Sequence, residues 1–393
     1  MSWIKKNHRK PERGSSASFA SNSAHDIGTD GFDGPSHSRH TLVAARSQTA
    51  SGTGGGRQTN GTVRGNNGRL LGGPDHQSSG SSREANQNEE NEARAAPPKL
   101  HTVECLKHPG HEVFIPIDQL KTRHLPSQYQ HDDWVKFIKL KGNETVHISV
   151  NYTSKKRPDD FGFKDFKGTT KRRTGSGTAF LMNMENIEDC CCGEVEGAHK
   201  VSGTFMVMTV AHVVFDDEEA RSTVITFFYD DDNDNTITVT AKGERVSHID
   251  IQRNRSVIEC RTHDLTLFSR LSSARDERMR LIQSSLSKKV HQEPMVVLIS
   301  HPHGMSKCVS IGKLLAIEED GDIKQNKDGV ELVGCFLTYD TPTCPGAGGG
   351  SINLIGKEDV CYGFAPHCAS HSNGQNTSGL GWTKYVKSLQ LRG

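Results

Sequence analysis

From Val146 onward the chain is a succession of short apolar runs cut by turn residues, and that pattern leaves few folds open. VHISVNYT places Val146, Ile148, Val150 and Tyr152 on one face, the period-two alternation of a half-buried strand. GTAFLM from Gly177, FMVMTV from Phe205, STVITFFY from Ser222 and TITVTA from Thr236 follow, and LTLF, MVVLIS, CVSIG, KLLAI, VELVGCFLTY and CYGFA continue the series. Clusters of Gly, Asp and Asn punctuate it. No strand alternates with a long amphipathic helix, which argues against a parallel α/β sheet and for an all-β sandwich or barrel. One short helix is expected at the C-terminus, where Trp382, Val386 and Leu389 fall at i, i+4 and i+7 on a single stripe.

The first quarter has a different texture. Residues 1–98 are dominated by Ser, Gly, Asn, His and Arg, which explains why hydrophobic residues reach only 33% of the whole chain. Such a segment cannot offset an ordering cost of roughly 1–2 kcal/mol per residue, so it reads as a disordered tail. The 48 Lys+Arg balance 47 Asp+Glu, and no whole-chain field favours nucleic acid or an anionic membrane. MSWIKKNHRK is followed by no apolar stretch of a secretory signal, and no run approaches the ~18 residues of a membrane span. A cytoplasmic or nuclear chain is therefore expected, with its ten cysteines mostly reduced. The sequence carries no cofactor-binding signature, and none is expected to be needed.

Four motifs carry chemistry in their order. RTGSGTAFL precedes FMVMTVAHVV, whose strand ends in Ala211–His212; THDLTLF carries Asp264; and TPTCPGAGGGSIN follows. Over about residues 170–393 this resembles the trypsin/chymotrypsin-like serine peptidases. The resemblance implies two six-stranded antiparallel β-barrels meeting at a cleft, with residues 99–169 as a pre-barrel extension. It also implies roles: His212 as general base, Asp264 as the carboxylate that fixes the imidazole tautomer, and Gly346–Gly350 as the nucleophile loop. The loop departs from the family pattern P-G-x-S-G. Aligned on Pro345–Gly346, the serine position holds Gly348, which has no Oγ to acylate. Ser351 stands three residues on, about 10 Å away along extended chain, and Cys344 four residues before. The N–H groups of Gly346 and Gly348 would still supply an oxyanion hole, which needs only main chain. The place of the acidic specificity residue of trypsins holds Pro342. The expectation is a catalytically impaired homologue that binds peptides or proteins. An active serine endopeptidase and a thiol or zinc-binding module stand as alternatives.

Three further clusters have bland readings. Cys190, Cys191 and Cys192 form a thiol-rich loop that, with Cys260 and His263, is a weak zinc candidate. Asp230–Asp232 and Asp234 fail the EF-hand spacing and read as a solvated turn. His301-Pro302-His303-Gly304 reads as a turn after a strand.

Overall fold

The computed structural model describes residues 105–180, 187–190, 201–233, 236–286, 293–325, 329, 331–356 and 365–384. The tail 1–98 lies outside them, as do Val386 and Leu389 of the expected C-terminal helix.

The described chain opens with a two-residue strand, β1 (Ile115–Pro116), and helix α1 (Asp132–Gly142). The first barrel takes β2 (Thr145–Val150), β3 (Arg173–Phe180), β5 (Val201–Thr209), β6 (Thr223–Phe227), β7 (Val239–Asp250) and β8 (Arg255–Thr262). Their order is β3-β2-β6-β7-β8-β5, and β3 pairs with β5 to close the ring, while β4 (Ile187–Asp189) pairs with the first residues of β5, Val201–Gly203. A short helix, α2 (Asp217–Arg221), links β5 to β6, and a long one, α3 (Thr266–Ser284), follows β8.

The second barrel takes β9 (Met295–Ser300), β10 (Cys308–Gln325), β11 (Glu331–Tyr339), β12 (Ser351–Ile355), β13 (Ala365–Ser370) and β14 (Asn376–Ser378). It closes through β10–β11, with β1 and β15 (Gly381–Lys384) attached at its sides. Every pairing is antiparallel. The fold is thus a chymotrypsin-like double six-stranded barrel.

The alternation seen in sequence fills the barrels. Val146, Ile148, Phe205, Val207, Ile225 and Phe227 meet inside the first, and Val296, Leu298, Leu337 and Tyr339 inside the second. β2 is nevertheless buried on both faces, because His147 on its outer side packs against Tyr229 and His301.

Several expectations change. Residues 99–169 are no mere extension: β2 is a full strand of the first barrel, and Trp134 and Ile138 of α1 pack against Val297 and Ile299 of the second. LTLF is no strand. It begins α3, whose Leu267, Leu271, Ala274, Arg278 and Leu281 face inward at helical spacing. Trp382 belongs to β15, where it pairs with Gly334, because β11 offers a free ladder there. The acidic turn is only partly solvated. Asp230 bonds the fully buried Lys307 at 2.7 Å, and Asp232 accepts from Ser306 N–H at 2.7 Å.

Candidate active site cleft

His212 lies just past the end of β5, as its strand-end motif requires, in a tight turn closed by Val213 N–H to Val210 C=O. The turn rests on a buried ionic frame. Glu219 of α2 receives Nε and Nη2 of Arg157, each at 2.6 Å, and Nη2 of Arg173 at 3.0 Å. The two guanidinium groups then donate upward, Arg157 to His212 C=O at 2.9 Å and Arg173 to Val213 C=O at 2.9 Å. Burial alone would push the Glu219 carboxyl up, but the hydrogen bonds and charges of Arg157 and Arg173 outweigh it and hold the group below its ordinary value. The ring of Phe163 stands 6.4 Å from the imidazole, and His212 is only 2% exposed.

The partner of His212 is not Asp264. Asp264 sits at the start of α3, where its Oδ1 accepts from Thr266 N–H at 3.0 Å and from Thr266 Oγ1 at 2.6 Å. A carboxylate suits a helix N-terminus, where amide donors would otherwise lack acceptors. The position beside the imidazole belongs to Asn254, in the turn between β7 and β8. Its Oδ1 accepts from the backbone N–H of His212 at 3.0 Å, and its Nδ2 lies 2.8 Å from His212 Nδ1.

The orientation of that amide follows from its neighbours. A backbone N–H only donates, so the atom facing it must be the oxygen. Nδ2 then points at the ring, and its second hydrogen goes to Cys368 Sγ at 3.0 Å. His212 Nδ1 is therefore an acceptor, and the neutral ring carries its hydrogen on Nε2. Asn254 has φ 46°, a left-handed conformation that Asn and Asp tolerate better than most residues.

The glycine loop of the second barrel reaches β3 of the first. Gly348 C=O accepts from Ser176 N–H at 2.8 Å, and Gly346 C=O from Ser176 Oγ at 2.8 Å. Gly175 is the spacer between the two halves of the cleft. A Cβ there would lie 2.7 Å from Val213 Cγ1, beside His212, and 3.4 Å from Gly348 C=O. Gly346 and Gly349 take φ of 88° and 84°, whereas Gly348 is not among the positive-φ glycines. Among the described residues, the N–H groups of Ala347, Gly349 and Gly350 have carbonyl acceptors in the protein, and those of Gly346 and Gly348 have none.

The remaining sequence candidates are dispersed. Ser351 starts β12, buried, with Asn353 Nδ2 donating to its Oγ at 3.3 Å. Cys260 faces the first barrel's core beside Phe205, and burial pushes its thiol up. Cys190 Sγ lies 3.2 Å from the imidazole of His263, on the outside of that barrel, so Cys260 shares no site with them. Cys191 and Cys192 lie outside the described residues. Cys344 turns away from the cleft, toward Cys105.

No family model and no curated protein matches the sequence. Solved structures similar to the chain include the active form of the Rv3671c protease from M. tuberculosis, at 11% identity, 64% of this chain, 79% of that one and a TM-score of 0.31. The HtrA-type protease AlgW with a tripeptide matches at 13% identity over 67% of this chain and 60% of its own, with a TM-score of 0.33. A serine endoprotease from Yersinia pestis matches at 13% over 63% and 61%, with a TM-score of 0.32. The assignment of the fold rests on the two closed barrels, and that of the cleft on its own contacts.

Proposed function

We propose that this chain is a catalytically impaired trypsin-like peptidase homologue whose cleft binds a peptide or protein segment without cleaving it. The observation that carries the reading is the Asn254 amide donating to His212 Nδ1. A general base needs a free lone pair on Nε2 to take the nucleophile's proton. An Nδ1 that accepts leaves the hydrogen on Nε2 and removes that lone pair. Gly348, at the nucleophile's place in the loop alignment, removes the Oγ as well. The near-complete burial of His212 points the same way. What remains useful is the pair of glycine N–H groups, which suit a main-chain carbonyl of a bound segment.

The test is direct labelling. Purified protein treated with a fluorophosphonate probe should take up none at the cleft, and a peptide library should be returned intact. Labelling that His212→Ala abolishes would establish an active serine enzyme and end this reading. The labelled residue, mapped by mass spectrometry, would then identify the nucleophile.

A further inference from the structure

On the far side of the glycine loop, four ligand-type side chains converge from three separate parts of the chain. Cys105 and His111 come from the segment ahead of β1, His303 from the turn after β9, and Cys344 from the start of the loop that leads to Gly346. One ligand atom from each lies within 4.8 Å of all the others. Cys105, His111 and Cys344 are buried at 7%, 0% and 2% exposure, and His303 is half-buried. We propose that Cys105, His111, His303 and Cys344 bind one zinc ion that ties the segment ahead of β1 to the second barrel at the root of the glycine loop.

The donor set and its geometry argue for zinc. Two thiolates and two imidazoles are a structural zinc set, with Zn–S about 2.3 Å and Zn–N about 2.0–2.1 Å. A tetrahedron of those bond lengths has an S···S edge of about 3.8 Å and an N···N edge of about 3.3 Å. Cys105 Sγ and Cys344 Sγ stand 3.6 Å apart, and His111 Nε2 and His303 Nε2 stand 2.9 Å apart. The widest separation, within 4.8 Å, asks for a closure of about 1 Å, a side-chain movement. A disulfide fits worse, since 3.6 Å far exceeds the bonded length of about 2.05 Å.

The surroundings suit bound thiolates and oriented imidazoles. His108 N–H donates to Cys105 Sγ at 3.4 Å, and the rings of His111 and His303 meet edge to face at 79°. Phe114, Met305 and Cys308 surround the thiols with apolar atoms, which excludes competing water. His111 and His303 both hold φ 54°, each beside a glycine at positive φ, in Pro109-Gly110-His111 and Pro302-His303-Gly304. Four protein ligands leave no open position, so the role is structural. Its reach is nonetheless functional. Cys344 stands two residues before Gly346, and His303 N–H bonds Pro345 C=O, so the ion would set the conformation from which the Gly346 and Gly348 donors project.

The experiment uses the full chain under reducing conditions. Elemental analysis and native mass spectrometry should find one zinc per chain. After chelator treatment, cobalt(II) should saturate at one equivalent with the intense visible bands of a tetrahedral ion and thiolate charge transfer, and zinc should displace it. His303→Ala removes the most exposed ligand and should lower zinc affinity on the order of 10²-fold or more. Cys190→Ser should leave it unchanged. Cobalt spectra of the wild type keep the test valid where a cysteine variant misfolds. Wild-type protein that binds neither ion would overturn the proposal. So would zinc that survives His303→Ala but is lost in Cys190→Ser.

Discussion

Gly348→Ser alone should yield almost no enzyme, whereas Gly348→Ser combined with Asn254→Asp should yield one. The backbone conformation is open to serine, because Gly348 is not among the positive-φ glycines of its loop. It would nevertheless face an imidazole whose Nδ1 accepts from Asn254 Nδ2 at 2.8 Å and whose Nε2 bears the hydrogen. Replacing the triad carboxylate by its amide lowers kcat by about 10⁴ in trypsin-type sites, or about 5.5 kcal/mol, although the geometry stays intact. The carboxylate introduced by Asn254→Asp would reverse the polarity. It would accept from His212 N–H, from a hydrogen on Nδ1, and from the Cys368 thiol, which can donate as readily as accept. Three donors compensate its burial, and φ 46° is open to Asp as it is to Asn. The measurement is the second-order rate of fluorophosphonate labelling for each variant, which requires no known substrate. The double variant should exceed Gly348→Ser by on the order of 10³–10⁴. Labelling of the two within tenfold of each other, with both folded, would refute the tautomer argument.

Glu219→Gln should cost about 3–5 kcal/mol in urea unfolding, since it leaves the buried Arg157 and Arg173 without their shared carboxylate; a loss below about 1 kcal/mol would show that the frame under His212 is not held by charge. Acid should destabilise the fold before its carboxylates titrate. Burial, with Arg172 adding repulsion, holds His147 down at about 3, and burial with His147 and Lys307 nearby keeps His301 well below its ordinary 6.5. Both folded values lie below the unfolded one, so stability is full above about pH 6.5 and falls as the unfolded chain takes up protons. The loss from His147 alone should reach about 2 kcal/mol at about pH 5, His301 adds to it in the same direction, and His147→Phe should lower the slope between about pH 7 and 5. An unchanged slope would mean that these rings are solvated.

The sequence made the strands legible because a strand's side chains alternate locally, and most of the runs named from pattern became rungs of one barrel or the other. The runs CVSIG and KLLAI proved to be one strand, β10, in which Gly312, the last residue of the first run, leaves room for Asp340 and Thr341 while the pairing with β9 continues through Lys313. α3 was missed for the opposite reason. Its opening run, LTLF, is all that a window reading needs to score a strand, and the apolar stripe that corrects it is spread over Leu271, Ala274 and Leu281 in otherwise polar sequence.

The cleft divides along the same line. His212 and the glycine loop announce themselves, because each is a contiguous string with one conformation. The acid's place does not. Asn254 and Asp264 stand 10 residues apart, one in a turn of arginines and the other ahead of an apolar run, and only the second resembles a site in one dimension. What selects Asn254 is that the β7–β8 turn carries it to the end of β5, against His212 and against Cys368 of the opposite barrel. The Cys105–His111–His303–Cys344 cluster is harder still. Its halves are joined by contacts 192 and 239 residues apart, so no zinc-finger spacing exists to be read. Both cases place the decisive chemistry where the two barrels or the N-terminal segment meet. Local strings specify the barrels, but the polarity of His212 and the anchoring of the glycine loop are properties of closure. A substitution at either junction therefore changes function without altering any motif.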